Sequence, residues 1–71
     1  MKIKKGELAA AVGPYIRANG DQVDLAYLET VQILVEANKD GEVYVVGLDS
    51  QNKTWILESS LAAWKPAPTI T

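Results

Sequence analysis

The clearest pattern along the chain is the alternation of apolar and polar residues between Thr30 and Leu61. It predicts three successive β-strands, which we place at Thr30–Glu36, Glu42–Leu48 and Lys53–Leu57. β-Branched residues, which favour strands, are concentrated in the first two. Short polar segments between the strands contain Asp-Gly or Ser and Asn residues and predict tight turns. A three-stranded meander is therefore the centre of the predicted fold.

The same alternation predicts which side chains share a face of each strand. Val31, Ile33 and Val35 fall on one face of the first strand. Both faces of Glu42–Leu48 are largely apolar, so we expect this strand to lie between two others. Gly47 interrupts it and predicts a bend or a close approach by another group.

One segment supports two interpretations. The apolar residues of Asp24–Asn38 also follow a helical spacing, with Asp24 as the N-cap residue. A helix here, followed by the hairpin, would make an α+β winged-helix domain. The β-branched residues favour the strand. The prediction is therefore an all-β fold, with the winged helix as the alternative.

The flanking segments complete the plan. Glu7–Val12 is short and alanine-rich, and we favour a strand over a helical turn. Gly13–Leu28 has no clean period and is predicted to be a long loop. Glu58–Leu61 suits a 3₁₀ turn, and Ala62–Lys65 a last short strand. At 71 residues the chain is one small domain, predicted to span residues 1–66, with residues 67–71 as a flexible tail.

Composition excludes much catalytic chemistry. The chain has no Cys and no His, which removes the usual zinc sites, the Ser-His-Asp triad and thiol catalysis. Carboxylate pairs such as Asp21/Asp24 and Glu42/Asp49 have no special spacing and are interpreted as solvated loop acids. We therefore predict that the protein is not an enzyme, and that it has no cofactor and no metal site.

Charge is distributed unevenly. Residues 1–17 carry a net charge of +3, from Lys2, Lys4, Lys5 and Arg17 against Glu7, whereas the rest of the chain carries −5. An acidic body argues against nucleic-acid binding, which needs clustered Lys and Arg. The chain also shows no apolar run long enough for a secretory signal or a membrane span. We expect a cytoplasmic protein.

The order of the predicted elements resembles that of the SH3-like barrel family over most of the chain. Glu7–Val12 with Tyr15 lies where SH3 domains have their first strand and "ALYDY" segment. Asp24–Tyr27 is similar to their "DLSF" segment, and Gly41-Glu42 precedes a strand as in "GDWW". The resemblance implies a five-stranded SH3-like barrel.

The resemblance does not extend to the groove that binds proline-rich peptides. SH3 domains hold these peptides between aromatic residues. Val43, Leu57 and Ser60 occupy groove positions here, and only Tyr15 is retained. Binding of proline-rich peptides is therefore not expected.

A second resemblance is to subunit O of the photosynthetic NADH dehydrogenase-like complex. Four blocks are similar and in the same order: Lys2–Gly6, Tyr27–Glu29, Gly41–Val46 and the segment from Trp55 to Leu61. The loop between Val12 and Tyr27 is shorter here than in that family. The resemblance implies a structural accessory subunit and not a redox centre.

The aromatic residues are the remaining candidates for a binding site. They are Tyr15, Tyr27, Tyr44, Trp55 and Trp64, with no Phe. Tyr and Trp are enriched at interfaces. The alternative is that most of them fill the core, which we favour for Trp55.

These features predict a non-catalytic protein–protein interaction module, an accessory subunit or adaptor whose partner is another protein or a second copy. One alternative is a nucleic-acid-binding barrel or winged-helix module that uses the basic residues before position 18. The other is a small oligomeric enzyme with its active site at a symmetric centre.

Overall fold

The structure, a computed structural model, describes residues 3–63, which form five β-strands and one 3₁₀ helix. The strands are β1 (Leu8–Ala11), β2 (Thr30–Val35), β3 (Glu42–Gly47), β4 (Lys53–Leu57) and β5 (Leu61–Ala63), and the 3₁₀ helix is Glu58–Ser60. The all-β prediction is confirmed. The helix considered for residues 24–38 is not formed, so the winged-helix alternative is wrong.

All five strands belong to one antiparallel sheet, in the order β4-β3-β2-β1-β5. β3 lies between β2 and β4, as predicted from its two apolar faces. β4 and β5 form the two edges of the sheet among residues 3–63. The 3₁₀ helix connects these two edge strands directly in sequence.

The core lies on one face of this sheet. Its largest fully buried apolar side chains are Ile33 and Ile56, and β1 contributes only the small side chains of Ala9 and Ala11. The other buried apolar residues are Ile3, Val23, Leu25, Val31, Val43, Val45 and Leu61, with Tyr15 packed against them. A core of this size provides little surplus stability, because a domain this short buries only about 60% of its unfolded surface.

Val35 does not share the core face with Val31 and Ile33, although the alternation predicted one face for all three. The register of β2 against β3 shifts between Ile33 and Val35, so that Val35 is paired with Tyr44. A β-bulge of this kind adds one residue to a strand and turns the following side chains to the other face. Val35 is consequently 45% exposed.

The ends of the chain limit what else is described. β5 begins one residue earlier than predicted, at Leu61, and its last described residue is Ala63. Trp64 and the predicted tail at 67–71 lie outside the described residues, as does Lys2. No helix within residues 3–63 has the length and apolar character needed to cross a membrane.

Candidate protein-binding surface

An apolar patch lies on the face of the sheet opposite the core, towards the β4 edge. Val35, Tyr44 and Trp55 are consecutive cross-strand partners on β2, β3 and β4. Val46 and Leu57 lie on the same face because side chains alternate along a strand. We call these five residues, Val35, Tyr44, Val46, Trp55 and Leu57, the outer patch.

Tyr44 and Trp55 form an aromatic pair at the middle of the outer patch. Their ring centroids are 5.2 Å apart, and the ring planes meet at 46°. The ladder bond from the Gly47 N–H to the Asn52 carbonyl makes Tyr44 and Trp55 a non-hydrogen-bonded pair, in which side chains approach most closely. Such a pair contributes about 0.5–1.5 kcal/mol beyond its area burial.

Trp55 therefore does not fill the core as expected. Its neighbour Ile56 takes the core position and is completely buried, whereas Trp55 and Tyr44 are each half-buried on the outer face. Trp55 therefore stays partly accessible to another molecule. This is the arrangement in which Trp and Tyr act as interface anchors.

Polar side chains border the outer patch. Gln32 and Lys53 are the cross-strand neighbours of Val46 on either side. An apolar centre with a polar border is typical of protein–protein interfaces.

Glu42 is not the solvated loop acid predicted from sequence. It is 3% exposed, and its carboxylate accepts hydrogen bonds from Arg17 Nε at 3.0 Å, Arg17 Nη2 at 3.2 Å and the Ala18 N–H at 3.0 Å. These bonds, the Arg17 bond above all, lower the pKa of Glu42 and raise that of Arg17. The ion pair fixes the β1–β2 loop to the start of β3.

A polar cavity of about 320 Å³ adjoins this ion pair. It is lined by Arg17, Ala18, Asn19, Asp40 and Glu42. Its volume is within the range of small-molecule sites, but such sites are lined mainly by apolar side chains, and Ala18 is the only one here. Within residues 3–63, Asp and Glu side chains form no group of three or more that could hold a metal ion.

Tyr15 and Tyr27 lie at the end of β1 and not in the outer patch. The Tyr15 hydroxyl donates to the Ala11 carbonyl at 2.9 Å, and the Leu28 N–H donates to the same carbonyl at 2.8 Å. Tyr27, next to Leu28, is 74% exposed. β2 separates this end of β1 from β3 and β4, so the structure divides the aromatic candidates into two groups.

A second buried carboxylate, Glu29, was not identified from sequence. It is 5% exposed and accepts hydrogen bonds from the Ala26 N–H at 3.0 Å and the Ser50 N–H at 2.9 Å. These two backbone donors, Ala26 first, lower its pKa. Glu29 thereby ties the segment before β2 to the β3–β4 turn. Because Ser50 is 21 residues away, no local pattern signals this contact.

The predicted close approach at Gly47 is confirmed, and Glu29 is the group that approaches. A Cβ built on Gly47 would overlap the Glu29 carboxylate and would lie 2.7 Å from the Ser50 Oγ. Because Gly47 has no side chain, the Glu29 carboxylate can pack against the β3–β4 turn.

No family model, curated protein or solved structure matches the chain. The resemblances to SH3-like barrels and to subunit O stay predictions.

The basic residues considered for nucleic-acid binding do not act as one group. Arg17 is held by Glu42, while Lys4 and Lys5 are exposed near the first described residue. The positive charge of Arg17 is thus largely balanced within the protein. The outer patch is the stronger candidate for a binding surface.

Proposed function

We propose that the protein is a non-catalytic protein–protein interaction module, an accessory subunit or adaptor that binds its partner through the outer patch. The observation that carries the proposal is the half-buried Tyr44–Trp55 pair on the face away from the core. The polar border provided by Gln32 and Lys53 supports it, since interfaces combine an apolar centre with a polar rim.

We further propose that the five strands form an SH3-like barrel, a partly open barrel in which, among residues 3–63, the β4 and β5 edges are not paired with each other. The strand order β4-β3-β2-β1-β5 and the 3₁₀ helix between β4 and β5 support this assignment. The complete burial of Val43, at a groove position, supports the expectation that the barrel does not bind proline-rich peptides.

A catalytic role is not part of the proposal. A carboxyl group that serves as a general acid near neutral pH has a raised pKa. The two buried carboxylates, Glu29 and Glu42, have lowered pKa values and are occupied by hydrogen bonds within the protein. The location we propose is the cytoplasm, since a chain without Cys is compatible with a reducing compartment.

The test compares partner capture by two matched variants. Tyr44→Thr removes an outer-patch ring, and Tyr27→Thr removes the exposed ring at the end of β1; threonine keeps the strand preference at Tyr44. Tagged wild type and variants, checked for folding by circular dichroism, are used for pull-down under native conditions with quantitative mass spectrometry.

We expect Tyr44→Thr to reduce capture of the specific partner about 30-fold, as for a hot-spot residue, and Tyr27→Thr to leave it unchanged. Equal capture by folded Tyr44→Thr and wild type would contradict the proposal, as would the absence of any specific partner.

A further inference from the structure

The outer edge of β4 is a row of backbone hydrogen-bonding groups that no strand within residues 3–63 pairs with. Hydrogen-bonded and non-hydrogen-bonded residue pairs alternate along an antiparallel ladder. The pairs Gly47–Asn52 and Gly41–Glu58 are hydrogen-bonded, so Thr54 and Ile56 are the β4 residues whose backbone groups bond to β3. The N–H and C=O groups of Lys53, Trp55 and Leu57 therefore point away from the sheet.

This edge has little protection against pairing. Proteins protect exposed edge strands with prolines, bulges, charges or very short strands. β4 contains no proline and pairs with β3 in unbroken register over five residues, and Lys53 is its only charged residue. The Thr54 hydroxyl donates to the Trp55 carbonyl at 3.1 Å, which still leaves that oxygen a second lone pair.

We propose that β4 pairs with β4 of a second copy of this chain, antiparallel and about a two-fold axis at Trp55. Trp55 then lies opposite the partner's Trp55, and Lys53 lies opposite the partner's Leu57. Lys53 and Leu57 are each two residues from Trp55. The outward N–H and C=O groups of all three residues can therefore form hydrogen bonds with those of the second copy. The contact is isologous and closes, leaving no further β4 edge for additional copies.

Charge and aromatic packing both select a second copy in this orientation. Lys53 begins the strand and lies opposite the partner's Leu57, so antiparallel pairing keeps the two lysines apart. Parallel pairing would instead bring like charges together. The two-fold axis also extends the Tyr44–Trp55 pair into a row of four rings on one face, where neighbouring cross-strand aromatic side chains stabilise each other.

The inference deepens the proposed function and rests on it, since the dimer joins two outer patches into one surface. Different results nevertheless contradict the dimer and the adaptor role. A protein that stays monomeric but shows Tyr44-dependent capture of another protein would contradict the dimer alone. A dimer that captures no other protein would contradict the adaptor role alone.

The decisive variant is Leu57→Pro. Leu57 has φ −60°, which suits proline, and its N–H takes no part in the β3–β4 ladder. The substitution therefore removes an outward donor while preserving the fold. Leu57→Ala is the matched control, because it removes the side chain and keeps the N–H. Ala63→Pro is the control on the other edge, since the bond from the Val12 N–H to the Ser60 carbonyl leaves the Ala63 N–H outside the β1–β5 ladder.

The association of each purified protein is measured by sedimentation equilibrium over a range of concentrations. We expect a dimer for wild type, Leu57→Ala and Ala63→Pro, and a dissociation constant at least about tenfold higher for Leu57→Pro, which loses a hydrogen bond on each side of the axis. A wild type that is monomeric at every concentration would overturn the proposal. A dimer that Leu57→Pro leaves unchanged would overturn it as well.

If circular dichroism shows that Leu57→Pro does not fold, amide hydrogen exchange of the wild type decides. The outward amides of Lys53, Trp55 and Leu57 then gain protection as concentration rises if the proposal holds. Unchanged exchange at all three would overturn it.

Discussion

The two edge strands of the sheet, β4 and β5, are anchored alike on the inside and differ on the outside. Each has one large buried side chain in the core, Ile56 on β4 and Leu61 on β5. β4 is five residues long and turns three sets of backbone groups outward. β5 has three residues within the described part of the chain, and the N–H of Leu61 already donates to the Glu58 carbonyl.

This difference shows how a small sheet protects one edge and leaves the other available. The 3₁₀ helix bonds to the first residue of β5, so that only the Ala63 N–H faces outward on that strand among the described residues. Within residues 3–63 no local group covers the outer edge of β4, and Trp55 lies beside its outward groups. A partner is therefore expected at β4 and not at β5.

The largest effects are expected from removing the two core anchors. Ile56→Ala and Leu61→Ala should each lower the free energy of unfolding by about 2–5 kcal/mol, the cost of emptying a buried aliphatic site. Because a core of this size supplies roughly 3–5 kcal/mol in total, both variants should be largely unfolded. Urea denaturation checks this. A loss below about 1 kcal/mol at only one of the sites would show that the two edges are not anchored alike.

The next effect concerns the turn that leads into β4. Gly47→Ala should lower the free energy of unfolding by about 1–3 kcal/mol, because the added methyl overlaps the Glu29 carboxylate and Ser50. Urea denaturation of the single variants Gly47→Ala and Glu29→Ala and of the double variant measures the coupling. If the overlap is the cause, the double variant loses less than the sum of the two singles. Additive losses would contradict it.

The strands themselves were predictable because their signals are local. The β-branched residues of Thr30–Val35 and the Asp-Gly turn at Asp40-Gly41 correctly indicated β2, β3 and the hairpin between them. Gly47 was also recognised as a place of close approach. These features depend only on neighbouring residues and on alternation along one strand.

The features that were missed depend on contacts between distant residues. The buried carboxylate of Glu42 is paired with Arg17, which lies 25 residues earlier in the chain. The buried carboxylate of Glu29 accepts a hydrogen bond from the Ser50 N–H, 21 residues later. Val35 turned outward through a bulge that alternation does not reveal, and Trp55 took the outer face once Ile56 took the core. The identity of the open edge follows from strand order, which no single segment encodes.

A smaller effect is expected from acidification, and it should weaken the β4 side of the sheet. The pKa of Glu29 is lowered in the folded protein, so its ionised form stabilises the fold above its ordinary pKa of 4.5. That contribution is lost as the pH falls through the lower folded-state pKa. The ionised form of Glu42 also stabilises the fold, because the hydrogen bond from Arg17 lowers its pKa.

Urea denaturation of wild type and Glu29→Gln at several pH values below about 5 tests this linkage. Wild type should lose stability as the pH falls, and Glu29→Gln, already less stable near neutral pH, should lose less over the same range. Asp21→Asn, at an exposed loop acid, is the control and should follow the wild type. Identical pH dependence of wild type and Glu29→Gln would contradict a stabilising role for the ionised carboxylate.

The most direct test of the account is amide hydrogen exchange of the wild type, measured by NMR in dilute and in concentrated solution. The outward amides of Lys53, Trp55 and Leu57 should become protected on concentration, while the Ala63 amide on the opposite edge keeps its exchange rate. The ladder amides of Thr54 and Ile56 should be protected under both conditions. Protection that appears at Ala63, or at neither edge, would contradict the claim that β4 is the binding edge.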